Sequence, residues 1–163
     1  MSSNAPSPVV VAPDGGTALT VVGDLLTFKL GAAQTGGKFC VAVGEIKPGG
    51  GPPPHAHRNE DEMFYILEGT FEFLLGDRTE VHGPGTTVFV PKGNLHTFRN
   101  VGNTTGKFVS LHTPGGFEAF FEEAGIEATD IGTSPPAAPL PDAGTLLGLL
   151  AKHGMESPKA PVA

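Results

Sequence analysis

The sequence is poor in cysteine, in positive charge and in long apolar runs. Its 163 residues include a single cysteine, Cys40, so the chain cannot form an internal disulfide. Ten Lys and Arg stand against seventeen Asp and Glu, for a net charge of -7, and the basic residues are not clustered. This balance argues against a basic binding surface, and we expect neither nucleic acid nor an anionic membrane as a partner.

Segments that would direct the chain to or across a membrane are also missing from the sequence. No stretch comes near the roughly 18 apolar residues that a membrane-spanning helix needs. Residues 1–13 lack the basic start and the apolar run of a secretory signal peptide. We therefore expect a cytoplasmic protein.

Glycine and proline, by contrast, are abundant. The chain has 24 Gly and 16 Pro, and nine of the prolines fall in residues 1–13 or 135–163. A hydrophobic content of 39%, with eleven Phe, argues against general disorder because that much apolar surface can offset the chain entropy lost on folding. We therefore expect a folded middle made of short elements separated by many tight turns.

The middle of the chain has the pattern of an all-β protein. Between residues 17 and 113, short segments rich in Val, Phe, Leu, Ile and Thr alternate with Gly, Pro and Asn breaks, as in KFCVAVGEI, EMFYILEG and TFEFLL. Short strands at regular spacing with turn signals between them are typical of a β-sandwich or β-barrel.

Two helices are predicted after the strands. In GFEAFFEEAG, residues Phe117, Phe120, Phe121 and Ala124 recur at the spacing of an amphipathic helix. A Pro-rich linker, GTSPPAAPLPDAG, leads to a second helical segment, AGTLLGLLAKHG, with Asp142 as its expected N-cap. We divide the chain into an N-terminal extension (1–16), a β-barrel (17–116) and C-terminal helices with a Pro-rich tail (117–163).

The apolar pattern of one predicted strand indicates oligomerisation. The run MFYILE is apolar on both of its alternating faces, with Phe64 and Ile66 on one and Met63, Tyr65 and Leu67 on the other. A strand that is apolar on both faces needs cover outside its own barrel, from a helix or a second subunit. We expect a homodimer.

The residues that carry chemistry are concentrated in HAHRNEDE, residues 55–62. His55 and His57 are two apart, so on a strand both imidazoles project from one face, and a turn after them can bring Glu62 onto the same side. His96 follows a Pro-Lys-Gly-Asn turn further along. An H-x-H pair alone is more often incidental, but three imidazoles and a carboxylate that converge inside a barrel are best satisfied by a divalent metal. Glu60 and Asp61 compete with Glu62 as ligands on residue type alone.

Fixed spacings around these residues resemble the two motifs of the cupin superfamily. The first reads G-x5-H-x-H-x4-E-x6-G from Gly49 to Gly69, and the second G-x5-P-x-G-x2-H-x3-N from Gly85 to Asn100. The flanks VVGDLLTFKL and TPGGFEAFFEEAG are similar to those of small cupins described as quercetin-dioxygenase-like. The resemblance implies a double-stranded β-helix (jelly-roll) barrel that binds one divalent transition metal (Fe, Mn, Ni, Co, Cu or Zn). The implied ligands are His55, His57, Glu62 and His96.

Such a centre leaves positions open for a chelating substrate or dioxygen. We expect a dioxygenase that acts on a small enolisable or aromatic compound, with Glu62 also as the catalytic proton acceptor. Phe64, Phe98 and His112 are candidates to line the substrate pocket, because strand parity places them on the inner side. Two alternatives stay open: a non-catalytic small-molecule binder or sensor, and a metal-assisted isomerase or lyase.

Overall fold

The computed structural model describes residues 6–21, 23–128 and 142–158. The strands of the described part are β1 (Thr17–Val21), β2 (Asp24–Leu30), β3 (Cys40–Ile46), β4 (Ala56–His57), β5 (Asp61–Glu68), β6 (Phe71–Leu75), β7 (Arg78–His82), β8 (Thr87–Val90), β9 (His96–Asn100), β10 (Gly106–Thr113), β11 (Ile126–Glu127) and β12 (Met155–Glu156). Its helices are α1 (Ala32–Thr35), α2 (Glu118–Ala124) and α3 (Ala143–Lys152).

The strands form a large and a small antiparallel sheet and a short ribbon. The larger sheet has the order β11-β1-β2-β3-β10-β5-β8, the smaller one β7-β6-β9, and a two-stranded ribbon pairs β12 with β4. His55 and His96 form an isolated bridge beside this ribbon. The predicted all-β jelly-roll with short C-terminal helices is confirmed.

A cluster of phenylalanines between the sheets forms the main core. On β5 the residues alternate, so Phe64 and Ile66 are buried while Tyr65 is exposed. The Phe64 ring meets Phe98 of the small sheet and Phe108 of the large sheet edge to face, with ring centroids 5.5 and 5.2 Å apart. Such edge-to-face pairs stabilise the core beyond simple area burial.

The two predicted helices are present and cover the large sheet. On α2, Phe120 and Phe121 are buried against the sheet, and Gly125 follows the helix as its C-cap. The Asp142 carboxylate accepts a hydrogen bond from Thr145 N (3.1 Å), so it caps the start of α3 as expected. Together with the inner residues of β2 and β3, these helices enclose a second apolar cluster.

The C-terminal segment lies across the strand that carries the first histidine pair. In the β12–β4 ribbon, Met155 is the register partner of His57. Arg58 N donates to Gly154 O (2.8 Å), and the exposed Arg58 guanidinium meets Glu156 (3.0 Å). The end of the described chain therefore packs beside the candidate site.

Several expectations concern segments that the structure does not describe. The Pro-rich linker falls almost entirely within residues 129–141, and the two extreme ends of the chain are likewise outside the described residues. The three-part division of the chain stays a prediction. Two short strands, β11 and β12, were not foreseen among the C-terminal residues, because two-residue strands carry no readable alternation. No helix among the described residues is long and apolar enough to cross a membrane.

Candidate metal centre

The glycine-rich loop before the first histidine is tied to the end of the second motif. Gly49 N donates to Asn100 O (2.8 Å), and Asn100 N donates to Gly50 O (3.0 Å). Gly51 has φ +141, and a side chain there would collide with the carbonyl of Phe98. Glycine is needed at this point because only a bare backbone can pass so close to β9.

Reciprocal backbone hydrogen bonds join the two histidine-bearing segments. His55 N donates to His96 O (2.9 Å), and His96 N donates to His55 O (2.8 Å). The two rings lie side by side, with centroids 4.4 Å apart, and His57 follows on the same side with its ring 5.0 Å from that of His55. Two residues of spacing on an extended chain place the imidazoles of His55 and His57 together, and the backbone bridge adds that of His96.

Glu62 reaches the same place from the next strand. The turn after His57 ends β4 and starts β5, which puts Glu62 on the inner face with Phe64. Its Oε2 lies 2.8 Å from His96 Nε2 and 3.3 Å from His57 Nε2. One ligand atom from each of the four predicted ligands, His55, His57, Glu62 and His96, lies within 4.8 Å of all the others.

Backbone carbonyls orient two of the imidazoles. His55 Nδ1 donates to Pro53 O (3.0 Å), and His96 Nδ1 donates to Asn94 O (3.0 Å). A carbonyl oxygen only accepts, so each Nδ1 carries the hydrogen and each Nε2 presents a lone pair to the cluster. This arrangement is the usual support for a metal-binding histidine.

These contacts fit a bound cation. In the neutral tautomer the lone pair of His96 Nε2 faces a carboxylate oxygen of Glu62 at 2.8 Å, which is repulsive unless a proton or a metal ion lies between them. Ligands about 2.1 Å from one metal ion lie about 3 Å from each other in octahedral geometry. The measured separations of 2.8 and 3.3 Å match that spacing, so the four side chains could hold a transition metal.

The charges of the cluster are strongly coupled. Burial and the imidazoles of His96 and His57 lower the pKa of His55 to about 4. Burial alone would also lower the pKa of His57, but the carboxylates of Glu60 and Glu62 outweigh it and raise this pKa to about 9. The Nδ1 of His57 lies 3.7 Å from Glu60 Oε2, beyond hydrogen-bond distance, so that attraction is electrostatic.

Glu62 is held as a carboxylate despite its burial. Desolvation would raise its pKa, but the charge of His112 and the contacts with the other imidazoles hold this pKa well below 4.5. Oε1, the oxygen that does not face the predicted ligands, lies 2.9 Å from His112 Nε2. The contact is close, but it lacks hydrogen-bond geometry, and both ring nitrogens of His112 are buried without a hydrogen-bond partner among the described residues.

A cavity of about 110 Å³ lies beside the cluster. All three candidate pocket residues, Phe64, Phe98 and His112, line it. The register of the large sheet places His112 directly opposite Glu62, and its ring stacks on Phe117 with centroids 4.1 Å apart.

Several lining residues were not anticipated from the sequence. They come from both ends of the chain and from the middle of β10: Val21, Asp24, Leu26, Ser110, Phe117, Leu146, Leu150 and Met155. No local motif predicts these positions, because the residues meet only when α3 and β12 fold back over the sheet. The alternation of β10 is the one available signal, since it puts Ser110 on the same side as His112.

Other titratable residues near the motif are not members of the four-residue cluster. Asp61 accepts from Lys92 N (2.9 Å) and therefore supports the turn before His96. Glu60 is buried, but it faces the outer nitrogen of His57. His82 sits on β7 and contacts Glu80 (3.0 Å).

Comparison with known proteins agrees with this geometry. Residues 42–112 match the family model of the Cupin domain. The chain is 34% identical over 119 residues to quercetin 2,3-dioxygenase of Bacillus subtilis, covering 72% of this chain and 34% of that protein. It is 31% identical over 87 residues to quercetin 2,3-dioxygenase of Aspergillus japonicus, covering 50% of this chain and 25% of that one.

A solved structure shares the fold. The crystal structure of a predicted oxalate decarboxylase from Thermotoga maritima superposes with a TM-score of 0.61 at 23% identity, over 65% of this chain and 99% of that one. The present chain spans only about a third and a quarter of the two dioxygenases that it resembles. The two motifs, the jelly-roll and the family match together identify the chain as a member of the cupin superfamily.

Proposed function

We propose that this protein is a metal-dependent dioxygenase that acts on a small enolisable or aromatic compound. The proposed ligands of its single divalent transition metal are His55, His57, Glu62 and His96. The observation that carries the proposal is the convergence of these four donors within 4.8 Å beside an apolar cavity. The similarity to two quercetin 2,3-dioxygenases supports the reaction class.

Each side chain has a role that follows from its surroundings. A metal bound there would supply Lewis-acid and redox chemistry toward a chelated substrate and dioxygen. Glu62 presents Oε2 to the imidazoles of His57 and His96 and turns Oε1 toward His112. Oε1 is therefore the atom that we propose accepts a proton from an incoming substrate hydroxyl.

The walls of the cavity set the size and nature of the substrate. Phenylalanine rings and C-terminal aliphatic side chains surround the cluster and exclude water from it. The volume of about 110 Å³ is below the roughly 300–1,000 Å³ of pockets for drug-sized ligands. In this form the cavity suits a compound of about one aromatic ring.

The first experiment tests the metal. We expect the purified protein to carry one transition-metal ion per chain by elemental analysis. His96→Ala should lower metal retention by more than about tenfold, since even the loss of an outer-shell partner costs roughly 10–100-fold in affinity. His82→Ala, which removes a histidine outside the cluster, is the matched control. Full metal occupancy in His96→Ala, with the fold intact by circular dichroism, would refute the ligand assignment.

The second experiment tests the reaction. With the metal in place, an oxygen electrode should record uptake on addition of catechols or small diketones, and His96→Ala should abolish it. If the protein takes up no oxygen but retains a ligand tightly, the sensor alternative is favoured. Conversion of substrate without oxygen uptake would favour the isomerase or lyase alternative.

The homodimer also belongs among the proposals. The outer face of β5 and its neighbour β8 exposes apolar side chains, with Tyr65 at 41%, Leu67 at 42% and Phe89 at 60% exposure. Met63 and Phe89 are register partners, so these residues lie on adjoining strands. We propose that a second copy covers this face. The cytoplasmic location remains a prediction from the sequence.

A further inference from the structure

The cavity wall contains a buried hydroxyl that has no hydrogen-bond partner among the described residues. Ser110 lies in the middle of β10, is 1% exposed, and lines the cavity. Its Oγ is buried and has no hydrogen-bond partner among the described residues. A buried hydroxyl left without a partner costs about 1–3 kcal/mol, so a purely structural role leaves Ser110 unexplained.

The position of Ser110 relates it to the candidate metal centre. It lies two residues before His112 on the same face of the strand, so their Cα atoms are roughly 7 Å apart. His112 Nε2 in turn lies 2.9 Å from Glu62 Oε1. A compound about one ring long that is bound at the cluster therefore extends past His112 toward Ser110.

The strands on either side of Ser110 offer its hydroxyl no polar partner. Its register partners on the adjoining strands are Phe64 and Ala42, both buried. Apart from the cluster and His112, the other buried polar residue of the wall is Asp24, which carries a carboxyl group and no hydroxyl. Among the described wall residues, Ser110 is thus the buried hydroxyl left for whatever occupies the cavity.

We propose that Ser110 recognises a hydroxyl group of the substrate at the end remote from the candidate metal centre. The ligand class is then a small ring compound that carries two adjacent metal-facing oxygens and a further hydroxyl across the ring. This inference rests on the proposed function, because it takes the chelated end of the substrate to lie at His55, His57, Glu62 and His96.

The binding test compares probes that differ in that hydroxyl. Calorimetry on the zinc-loaded protein without oxygen measures the affinity of catechol, of 1,2,4-trihydroxybenzene and of its isomer 1,2,3-trihydroxybenzene. One added hydrogen bond predicts roughly threefold to tenfold tighter binding of the 1,2,4 isomer than of catechol, with no such gain for the 1,2,3 isomer. Ser110→Ala should bind catechol as the wild type does and lose the preference. A preference that survives in Ser110→Ala would overturn the proposal.

A stability test on the free protein checks, without any ligand, whether the Ser110 hydroxyl has a structural role. Since Oγ makes no internal hydrogen bond, Ser110→Ala should leave the thermal unfolding midpoint unchanged or raise it. The matched control is Thr20→Val, because Thr20 Oγ1 is also buried without a partner among the described residues, but Thr20 does not line the cavity. This control should keep the wild-type preference among probes.

The outcomes separate this inference from the proposed function. A lower unfolding midpoint in Ser110→Ala than in the wild type would show a structural hydroxyl and overturn the inference. Binding of catechol with no gain from the third hydroxyl would overturn the inference and leave the proposed function standing. Failure of catechol itself to bind would refute the chelated substrate of the proposed function and, with it, the substrate-recognition role of Ser110.

Discussion

Asp24 is a carboxyl group that the fold buries at the start of β2. It is 8% exposed and makes no ion pair with any described residue. Burial raises its pKa from 3.8 to about 6, although a hydrogen bond from the Gly51 backbone partly offsets the rise. The ionised form of Asp24 is therefore less favourable in the folded protein than in the unfolded chain.

The size and sign of its effect on stability follow from this shift. A rise of about two pKa units, at 1.36 kcal/mol per unit, corresponds to about 3 kcal/mol. A raised folded-state pKa contributes stability that is fully present below the unfolded value near 4 and is lost as pH rises through about 6. We therefore expect Asp24→Asn, which cannot ionise, to gain about 3 kcal/mol relative to the wild type between pH 4 and pH 8.

The assay is urea unfolding of the metal-free wild type and Asp24→Asn across that pH range. The difference between the two free energies of unfolding should change in favour of the variant mainly between pH 4 and pH 6 and be constant above about pH 7. Asp77→Asn, which removes one negative charge at an exposed turn, controls for the change in net charge. A difference between wild type and Asp24→Asn that does not vary with pH would refute the reasoning.

Two further predictions concern the motif asparagine and the outer face of the sheet. The Asn100 side chain donates to the carbonyls of Ile46 and Thr104 (2.8 Å each) and accepts from Gly102 N (2.9 Å). Because Asn100→Ala removes all three hydrogen bonds, we expect it to lower the free energy of unfolding by about 3 kcal/mol, as measured by urea titration. If a second copy covers the outer face, the wild type should sediment as a dimer in analytical ultracentrifugation and Phe89→Glu as a monomer, since a charge would be buried there.

Matched variants control both measurements. Asn103→Ala changes an exposed asparagine a few residues from Asn100 and should cost little stability. Val81→Glu places a charge on β7, where Val81 is 56% exposed, and should leave the dimer intact. Equal stability of Asn100→Ala and the wild type would contradict the first argument. A monomeric wild type would contradict the second.

Much of the candidate site could be predicted because its determinants are local. His55 and His57 are two residues apart on an extended segment, so their rings share a side whatever the rest of the chain does. The turn that follows changes the direction of the chain, and Glu62 then lies on the same face of β5 as Phe64. The helix signals around Phe117 and Asp142 are local in the same sense, since spacing and capping act within a few residues.

Other parts of the site could not be read from the sequence. His112 lies opposite Glu62 because β10 pairs with β5, a contact between residues 50 positions apart. Cross-strand register is set by the packing of both sheets, and no short pattern encodes it. That register decides which side chains contact each of the two Glu62 oxygens. It also leaves the hydroxyl of Ser110 without a hydrogen-bond partner among the described residues.

The sequence by itself determined the strand-rich middle and the turns, because these follow from side-chain periodicity and from the backbone freedom of glycine. The choice of the proposed ligands came from the resemblance of the two motifs to those of a known family. Only the tertiary structure decided what surrounds the ligands. It brought Met155 beside His57 and set Leu146 and Leu150 in the cavity wall, from a segment with no motif of its own. Burial of apolar surface drives that closure, and burial depends on the whole fold rather than on any local pattern.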